Sequence, residues 1–264
     1  MADLFDYLLW RGDLPMDLVP PTPVDTLILS ELCYLNFSGL VPGDFLHPVP
    51  LKVAADAFLS LPDREDRDRV KRDGELLAAC AKTERFGGLR LIFYRSELLP
   101  EMESQFAAVT WLLPGGCALI TYRGTDMSLA GWKEDFNMSF QPSVPAQEKA
   151  LRYLEAFARV HSAPLRLAGH SKGGNMAVYA AACCQPELQE RNEFVDALYE
   201  LLTVGEVADV RQMILPRNVL RYLRTLGTDE QMRTILAREF LQLFRTALDL
   251  RRKKDPNALP GPEE

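Results

Sequence analysis

The segment from Leu165 to Cys184 constrains the fold of this chain more than any other part of the sequence. It opens with a short, mostly apolar run over residues 165–168, which predicts a strand, and it ends in an alanine-rich stretch that favours a helix. Between them lies Gly169-His170-Ser171-Lys172-Gly173. Since glycines let a strand and a helix approach closely, this spacing predicts a sharp strand-to-helix turn that exposes the Ser171 hydroxyl at a helix N-terminus.

A second polar segment follows an earlier predicted strand. Residues 117–122 are nearly all apolar, as expected for a central strand that is covered on both faces, and Arg123-Gly124-Thr125-Asp126 comes directly after them. If Ser171 attacks an acyl carbonyl, two donors must stabilise the developing oxyanion. The backbone amide of Lys172 is one candidate. Thr125, which offers an amide and a hydroxyl, is the other.

The two motifs YRGTD…GWKEDFN and LAGHSKGGN together resemble the central part of the class 3 lipases, which are α/β-hydrolases. They are more similar still to a bacterial Mbeg-like family of unassigned function, and the resemblance covers most of residues 1–190. It implies an α/β-hydrolase-like core of three layers and an acyl ester or lipid-type substrate. It also implies Ser171 as nucleophile, Thr125 and Lys172 as oxyanion donors, and a supporting ion pair between Arg123 and Asp135. Lys172 replaces the apolar residue that is common in lipases.

The catalytic base is missing from the pattern. A serine hydroxyl is a poor nucleophile until a base removes its proton, and α/β-hydrolases place their histidine after the serine. The chain has three histidines, His47, His161 and His170, and all of them precede Ser171. We expect His170 to point away from the cleft and His161 to end a helix far from it. His47 and Lys172 are the alternative bases to test, so the base is unknown.

The remaining patterns predict an α/β core with a helical N-terminal segment over residues 1–190. Pro114-Gly115-Gly116, between the apolar runs 106–113 and 117–122, predicts an antiparallel hairpin. Asn192 is a predicted N-cap that opens a helical region over residues 191–254, and residues 255–264 form a predicted disordered tail. Because no β-type run follows Ser171, we expect the core to be truncated there. The C-terminal helices or homodimerisation would then cover the exposed edge.

Composition and motifs limit the classes of ligand and partner that this chain is expected to bind. The net charge of −7, without an extended basic patch, argues against nucleic-acid binding. Five cysteines without a C-x-x-C pattern indicate neither a disulfide framework nor a metal site, and no dinucleotide or phosphate-loop fingerprint indicates a cofactor. No apolar run is long enough for a membrane span and the acidic start does not resemble a secretory signal, so we expect a cytoplasmic protein.

Two classes of function remain open. The first is a serine hydrolase-like protein that is weak or inactive because it lacks the downstream histidine. The second is a non-enzymatic binding or interaction protein that uses the C-terminal helices, whose apolar stripe includes Phe240, Leu243 and Phe244.

Overall fold

The structure, a computed structural model, describes residues 3–68, 71–126, 128–138, 141–189 and 192–193. The predicted helical region and tail therefore lie outside the described residues from residue 194 onward. None of the helices in the described ranges is long and apolar enough to cross a membrane. They are α1 (Leu4–Arg11), α2 (Pro23–Leu32), α3 (Leu51–Leu59), α4 (Arg64–Arg67), α5 (Lys71–Ala81), α6 (Leu129–Asn137), α7 (Pro145–Val160), α8 (Lys172–Cys183) and α9 (Pro186–Gln189).

The strands of the described part form one mixed sheet in the order β1 to β6. β1 to β4 pair antiparallel with their neighbours, whereas β4, β5 and β6 run parallel. This mixture puts the carboxyl ends of β4 and β5 at the same edge of the sheet. The strands are β1 (Val49–Pro50), β2 (Arg90–Leu99), β3 (Ser104–Leu112), β4 (Ala118–Tyr122), β5 (Leu165–Gly169) and β6 (Asn192–Glu193).

The hairpin between β3 and β4 confirms the prediction from Pro114-Gly115-Gly116. Gly115 and Gly116 both have a φ of 79°, which glycine adopts without the steric cost that a Cβ would bring. β4 is buried along its whole length between β3 and β5, as its continuous apolar pattern predicts. The centre of the sheet is therefore the part that the sequence pattern describes best.

Helices cover both faces of the sheet, which makes three layers. Successive side chains of a strand point to opposite faces. Trp111 and Leu119 pack in a core shared with α1, α2, α3 and α5, whereas Ile120 and Tyr122 pack in a second core shared with α7 and α8. The mixed α/β class is thus confirmed for the described residues.

A buried ion pair fastens the N-terminal segment to the first of these cores. The Arg85 guanidinium donates to both carboxylate oxygens of Asp25 at 2.6 and 2.5 Å, and neither side chain is exposed. It also donates to the carbonyl oxygens of Leu14, Val19 and Pro20. Since a guanidinium has five N–H groups, every one of them has an acceptor. The proline-rich stretch before α2 is therefore held by one side chain.

The chain after α9 departs from the sequence prediction. Asn192 is not the N-cap of a helix: it lies with Glu193 in β6, which pairs with Leu165 and Arg166 of β5. The prediction of a helical region is therefore wrong at residues 192–193. The chain returns here to the edge of β5, whose unpaired backbone groups favour a strand partner over a helix. Two residues are too few to show a strand pattern in the sequence.

Candidate active site

Ser171 lies at the junction between β5 and α8. β5 ends at Gly169 and α8 begins at Lys172, so only two residues make the turn. Ser171 has φ 56° and ψ −123°, and a conformation of this kind costs a residue other than glycine about 1–3 kcal/mol. The residue is also exposed to solvent. The sharp turn predicted at residues 169–173, called the elbow below, is therefore present, and its strained residue is the serine.

Two glycines make the elbow sterically attainable. A Cβ on Gly169 would lie 2.2 Å from the carbonyl carbon of Gly173, and a Cβ on Gly173 would lie 2.1 Å from the carbonyl oxygen of Tyr122. No side chain can be accommodated at such distances without moving backbone. The first contact closes the strand onto the helix, and the second presses the start of α8 against the end of β4.

The loop after β4, residues 123–126, lies against the elbow. Tyr122 pairs with Gly169, so the chain leaves β4 and β5 at the same level. A Cβ on Gly124 would lie 2.5 Å from the carbonyl oxygen of His170. The structure therefore brings the segments that carry Thr125 and Lys172 together at one edge of the sheet.

The amide and the side chain of Lys172 point to different tasks. Lys172 is the first residue of α8, so its N–H group has no acceptor within the helix and is available to an anion. Its ammonium group is buried and donates to the carbonyl oxygen and Oε1 of Gln105, each at 2.9 Å, and to Oε2 of Glu134 at 3.0 Å. An ammonium group with all three hydrogens bonded to buried acceptors is not placed to act as a base at Ser171.

Asp135 bonds Thr125 and not Arg123. The Thr125 hydroxyl donates to Oδ2 of Asp135, while Arg123 contacts Asp126 with 3.4 Å between Nη2 and Oδ2. The predicted ion pair between Arg123 and Asp135 is therefore not formed. Asp126 lies in the same loop as Arg123 and contacts it there, whereas Asp135 lies on α6 and contacts Thr125. With its hydroxyl occupied, Thr125 offers its backbone amide as the remaining donor.

Burial changes the acidity of Asp135. It raises the pKa of this carboxyl to about 6, against an opposing effect of the nearby Lys172 charge. Oδ1 of Asp135 is buried without a hydrogen-bond partner among the described residues. A carboxyl with a raised pKa that bonds a candidate oxyanion residue is the kind of group that active sites contain.

The side chain of His170 contacts residues at the end of α2. Its Nδ1 lies 3.0 Å from the hydroxyl oxygen of Tyr34 and 3.8 Å from a carboxylate oxygen of Glu31. Its ring meets the Tyr34 ring edge to face. The histidine therefore ties the elbow to the end of α2, and the same nitrogen cannot also accept the Ser171 proton.

The other two histidines are also described, and neither lies at the elbow. His161 follows the last turn of α7, where its ring stacks on Phe157 at 4.4 Å. His47 has a side chain that is 69% exposed, and its Nδ1 lies 3.0 Å from the Asp44 carboxylate. Its segment leads into β1, which pairs with the beginning of β2 at the end of the sheet remote from Ser171. Among the hydrogen bonds of the described residues, none joins a histidine nitrogen to the Ser171 hydroxyl.

Glu134 is the site residue that the sequence reasoning missed. It is fully buried next to Asp135 on α6, and besides Lys172 it binds two backbone amides: Oε2 accepts from Gln105 at 2.9 Å and Oε1 from Ala146 at 2.8 Å. A sequence signal exists, because a lysine among small, closely packed residues is a candidate for burial, and a buried ammonium group needs a carboxylate. GWKEDFN contains two neighbouring carboxylates, and the predicted ion pair with Arg123 uses only one of them.

No group of three or more metal-ligating side chains occurs in the ranges that the structure describes. Comparison with curated proteins and with solved structures yields no match. A family match does exist: it starts near the end of α5, includes all described strands from β2 onward, and contains both motifs of the site. Over residues 80–208 this chain matches the Mbeg1-like family.

Proposed function

We propose that this chain is a serine hydrolase-like protein that binds an acyl ester or lipid-type carbonyl at Ser171 and reacts with it slowly. The observation that carries the proposal is the backbone of Ser171, strained at φ 56° between β5 and the free first amide of α8. Strain of this size persists where the surroundings over-determine it, and it concentrates at functional sites. In this proposal the exposed hydroxyl attacks a carbonyl carbon, and that amide stabilises the oxyanion that develops.

The chemistry follows from the groups at this edge of the sheet. The amides of Lys172 and Thr125 would donate to the carbonyl oxygen as Oγ of Ser171 attacks the carbon. The proton of Oγ must leave in this step. In this proposal no histidine takes it, and water or hydroxide from solvent accepts the proton. Losing one member of a serine–histidine pair costs roughly 10⁶ in kcat, while the remaining oxyanion hole and binding contacts still give about 10³–10⁴ over water.

Covalent labelling tests the proposal. A fluorophosphonate reacts when Oγ attacks phosphorus, an O–P bond forms, fluoride leaves and the serine proton passes to solvent. We expect slow, complete labelling that maps to Ser171 and is abolished in Ser171→Ala. Ser162→Ala, which changes an exposed serine outside the site, should label like the wild type. No labelling of the folded protein would overturn an acyl site at Ser171, and labelling as fast as in triad hydrolases would overturn the slow reaction.

The pH dependence of labelling identifies the proton acceptor. If hydroxide takes the proton, the rate should rise about tenfold per pH unit between pH 7 and 9, without levelling. A rate that levels near neutral pH would indicate an imidazole base. His47→Ala is the matched variant, and we expect it to leave the profile unchanged.

A further inference from the structure

Two neighbouring carboxylates of α6 hold the two residues whose amides are the candidate oxyanion donors. Glu134 bonds the side chain of Lys172, and Asp135 bonds the side chain of Thr125. Both bonds act through side chains, so they leave the two backbone amides free. The spacing of the two donors thus depends on one short helix.

Glu134 anchors more than Lys172. Its two oxygens also accept from the amide of Gln105, at the start of β3, and from the amide of Ala146, at the start of α7. Lys172 also binds Gln105, because its ammonium group donates to the carbonyl oxygen and the side chain of that residue. The beginnings of β3, α7 and α8 are therefore fixed to α6 at one buried point.

Stability alone does not account for such a pair. The side chains of Lys172 and Glu134 are 1% and 0% exposed, and desolvating two charges costs about as much as their attraction returns, so apolar replacements of a whole pair are often neutral. What a buried pair supplies is a defined position. Ser171 depends on this defined position of Lys172, since it would leave its strained conformation if the start of α8 could shift.

On these contacts, and resting on the proposed function, we propose that Glu134 is a positioning residue of the oxyanion site, acting through the ammonium group of Lys172. The carboxylate holds the first residue of α8 so that its amide faces the group bound at Ser171. Glu134 does not touch that group. Its loss lets the first residue of α8 shift, which moves the donor relative to the group bound at Ser171.

A charge-free double variant tests the positioning role. Lys172→Met with Glu134→Gln removes both charges together, so neither is left buried alone. The matched control is Lys149→Met with Glu97→Gln, which removes a partly exposed pair with 2.9 Å between its charged atoms. Both variants are labelled with the fluorophosphonate at several concentrations under conditions where circular dichroism shows them folded. We expect the maximal labelling rate of the first to fall tenfold or more, because one oxyanion donor contributes about 10²–10³, with little change in the half-saturating concentration. The control should stay within about twofold of the wild type, as expected for a partly exposed pair.

Each outcome of this experiment decides something. An unchanged maximal rate in the folded Lys172→Met/Glu134→Gln protein overturns the positioning role while the wild-type labelling still supports the proposed function. Absence of labelling in the wild type overturns the proposed function and this inference with it. If the double variant does not fold, Glu134→Asp replaces it, since it keeps the charge but draws the carboxylate back by one methylene. The maximal rate should then fall several-fold, and an unchanged rate overturns the role.

Discussion

Two buried ion pairs of this chain share their chemistry and differ in what lies beside them. Asp25 and Arg85 lie in the N-terminal helical layer, and Glu134 and Lys172 lie under the elbow, with all four side chains at most 1% exposed. Arg85 uses its planar fork on one carboxylate and three carbonyl oxygens, whereas Lys172 directs one ammonium group to three acceptors.

The difference between the two pairs lies in the backbone that each one holds. Arg85 fixes a proline-rich connection in the N-terminal segment. The bond between Glu134 and Lys172 fixes the residue that follows an exposed, strained serine. The comparison teaches that a buried pair becomes part of a site through the backbone next to it and not through its own charge.

The largest effect is expected from breaking the N-terminal pair. Arg85→Met leaves Asp25 buried without its partner, so the free energy of unfolding in urea should fall by about 3–5 kcal/mol. The rate of Ser171 labelling per folded molecule should not change. Arg90→Met, at an exposed arginine, is the control and should stay within about 0.5 kcal/mol. A loss below about 1 kcal/mol for Arg85→Met would contradict the stabilising role that the Arg85 contacts indicate.

A methyl group at the elbow should cost nearly as much. In Gly169→Ala the new Cβ would meet backbone of Gly173, and overpacking of this kind costs about 1–3 kcal/mol or more. Gly88, in the turn before β2, has nothing within 4 Å of a Cβ position, so Gly88→Ala should be neutral or stabilising by up to about 1 kcal/mol. Urea unfolding measures both variants. Equal stabilities would mean that the elbow can open without cost.

The elbow region and the N-terminal layer each contain one carboxyl, Asp135 and Asp68, that should make the free energy of unfolding depend on pH. Burial raises the pKa of Asp135 and of Asp68 to about 6. The folded protein then binds these protons more tightly than the unfolded chain between about pH 4 and 6, so each carboxyl makes stability fall as pH rises through this window. Above about pH 6 the contribution is constant.

In Asp135→Asn, the free energy of unfolding should lose the part of this pH-dependent fall that Asp135 contributes, on the order of 1–2 kcal/mol. Asp68→Asn should lose a smaller part, because solvent screens its less buried carboxyl. Only Asp135→Asn should alter the labelling of Ser171, because Asp135 bonds Thr125 while Asp68 lies before α5, in the N-terminal layer. A pH profile in which Asp135→Asn and the wild type coincide would show that the Asp135 pKa is not raised.

The smallest effect concerns the strain at Ser171. Glycine normally makes a chain about 0.5–1 kcal/mol less stable than alanine, but alanine at φ 56° keeps the strain that glycine relieves. Ser171→Gly should therefore be more stable than Ser171→Ala by up to about 1 kcal/mol. At Ser162, which has an ordinary φ, the order of the glycine and alanine variants should be reversed. The same order at both serines would mean that Ser171 carries no strain.

Patterns within short stretches predicted much of this molecule. The glycine spacing around Ser171 located the elbow, Pro114-Gly115-Gly116 located the hairpin, and the apolar run before Arg123 identified the central strand. Each of these depends on backbone conformations or burial that a few consecutive residues decide. The strand Asn192–Glu193 was missed because two residues carry no pattern.

What the sequence determined by itself is the absence of a histidine after Ser171 and the places where only glycine fits. Only the tertiary structure decided which charges meet. Lys172 pairs with Glu134, which lies 38 residues earlier, and Arg123 pairs with Asp126 although Asp135 is of the same type. Residue types alone allow all of these pairs. The packing of α6 against the starts of β3, α7 and α8 selects among them, because a buried carboxylate binds whichever donors the surrounding backbone brings within about 3 Å.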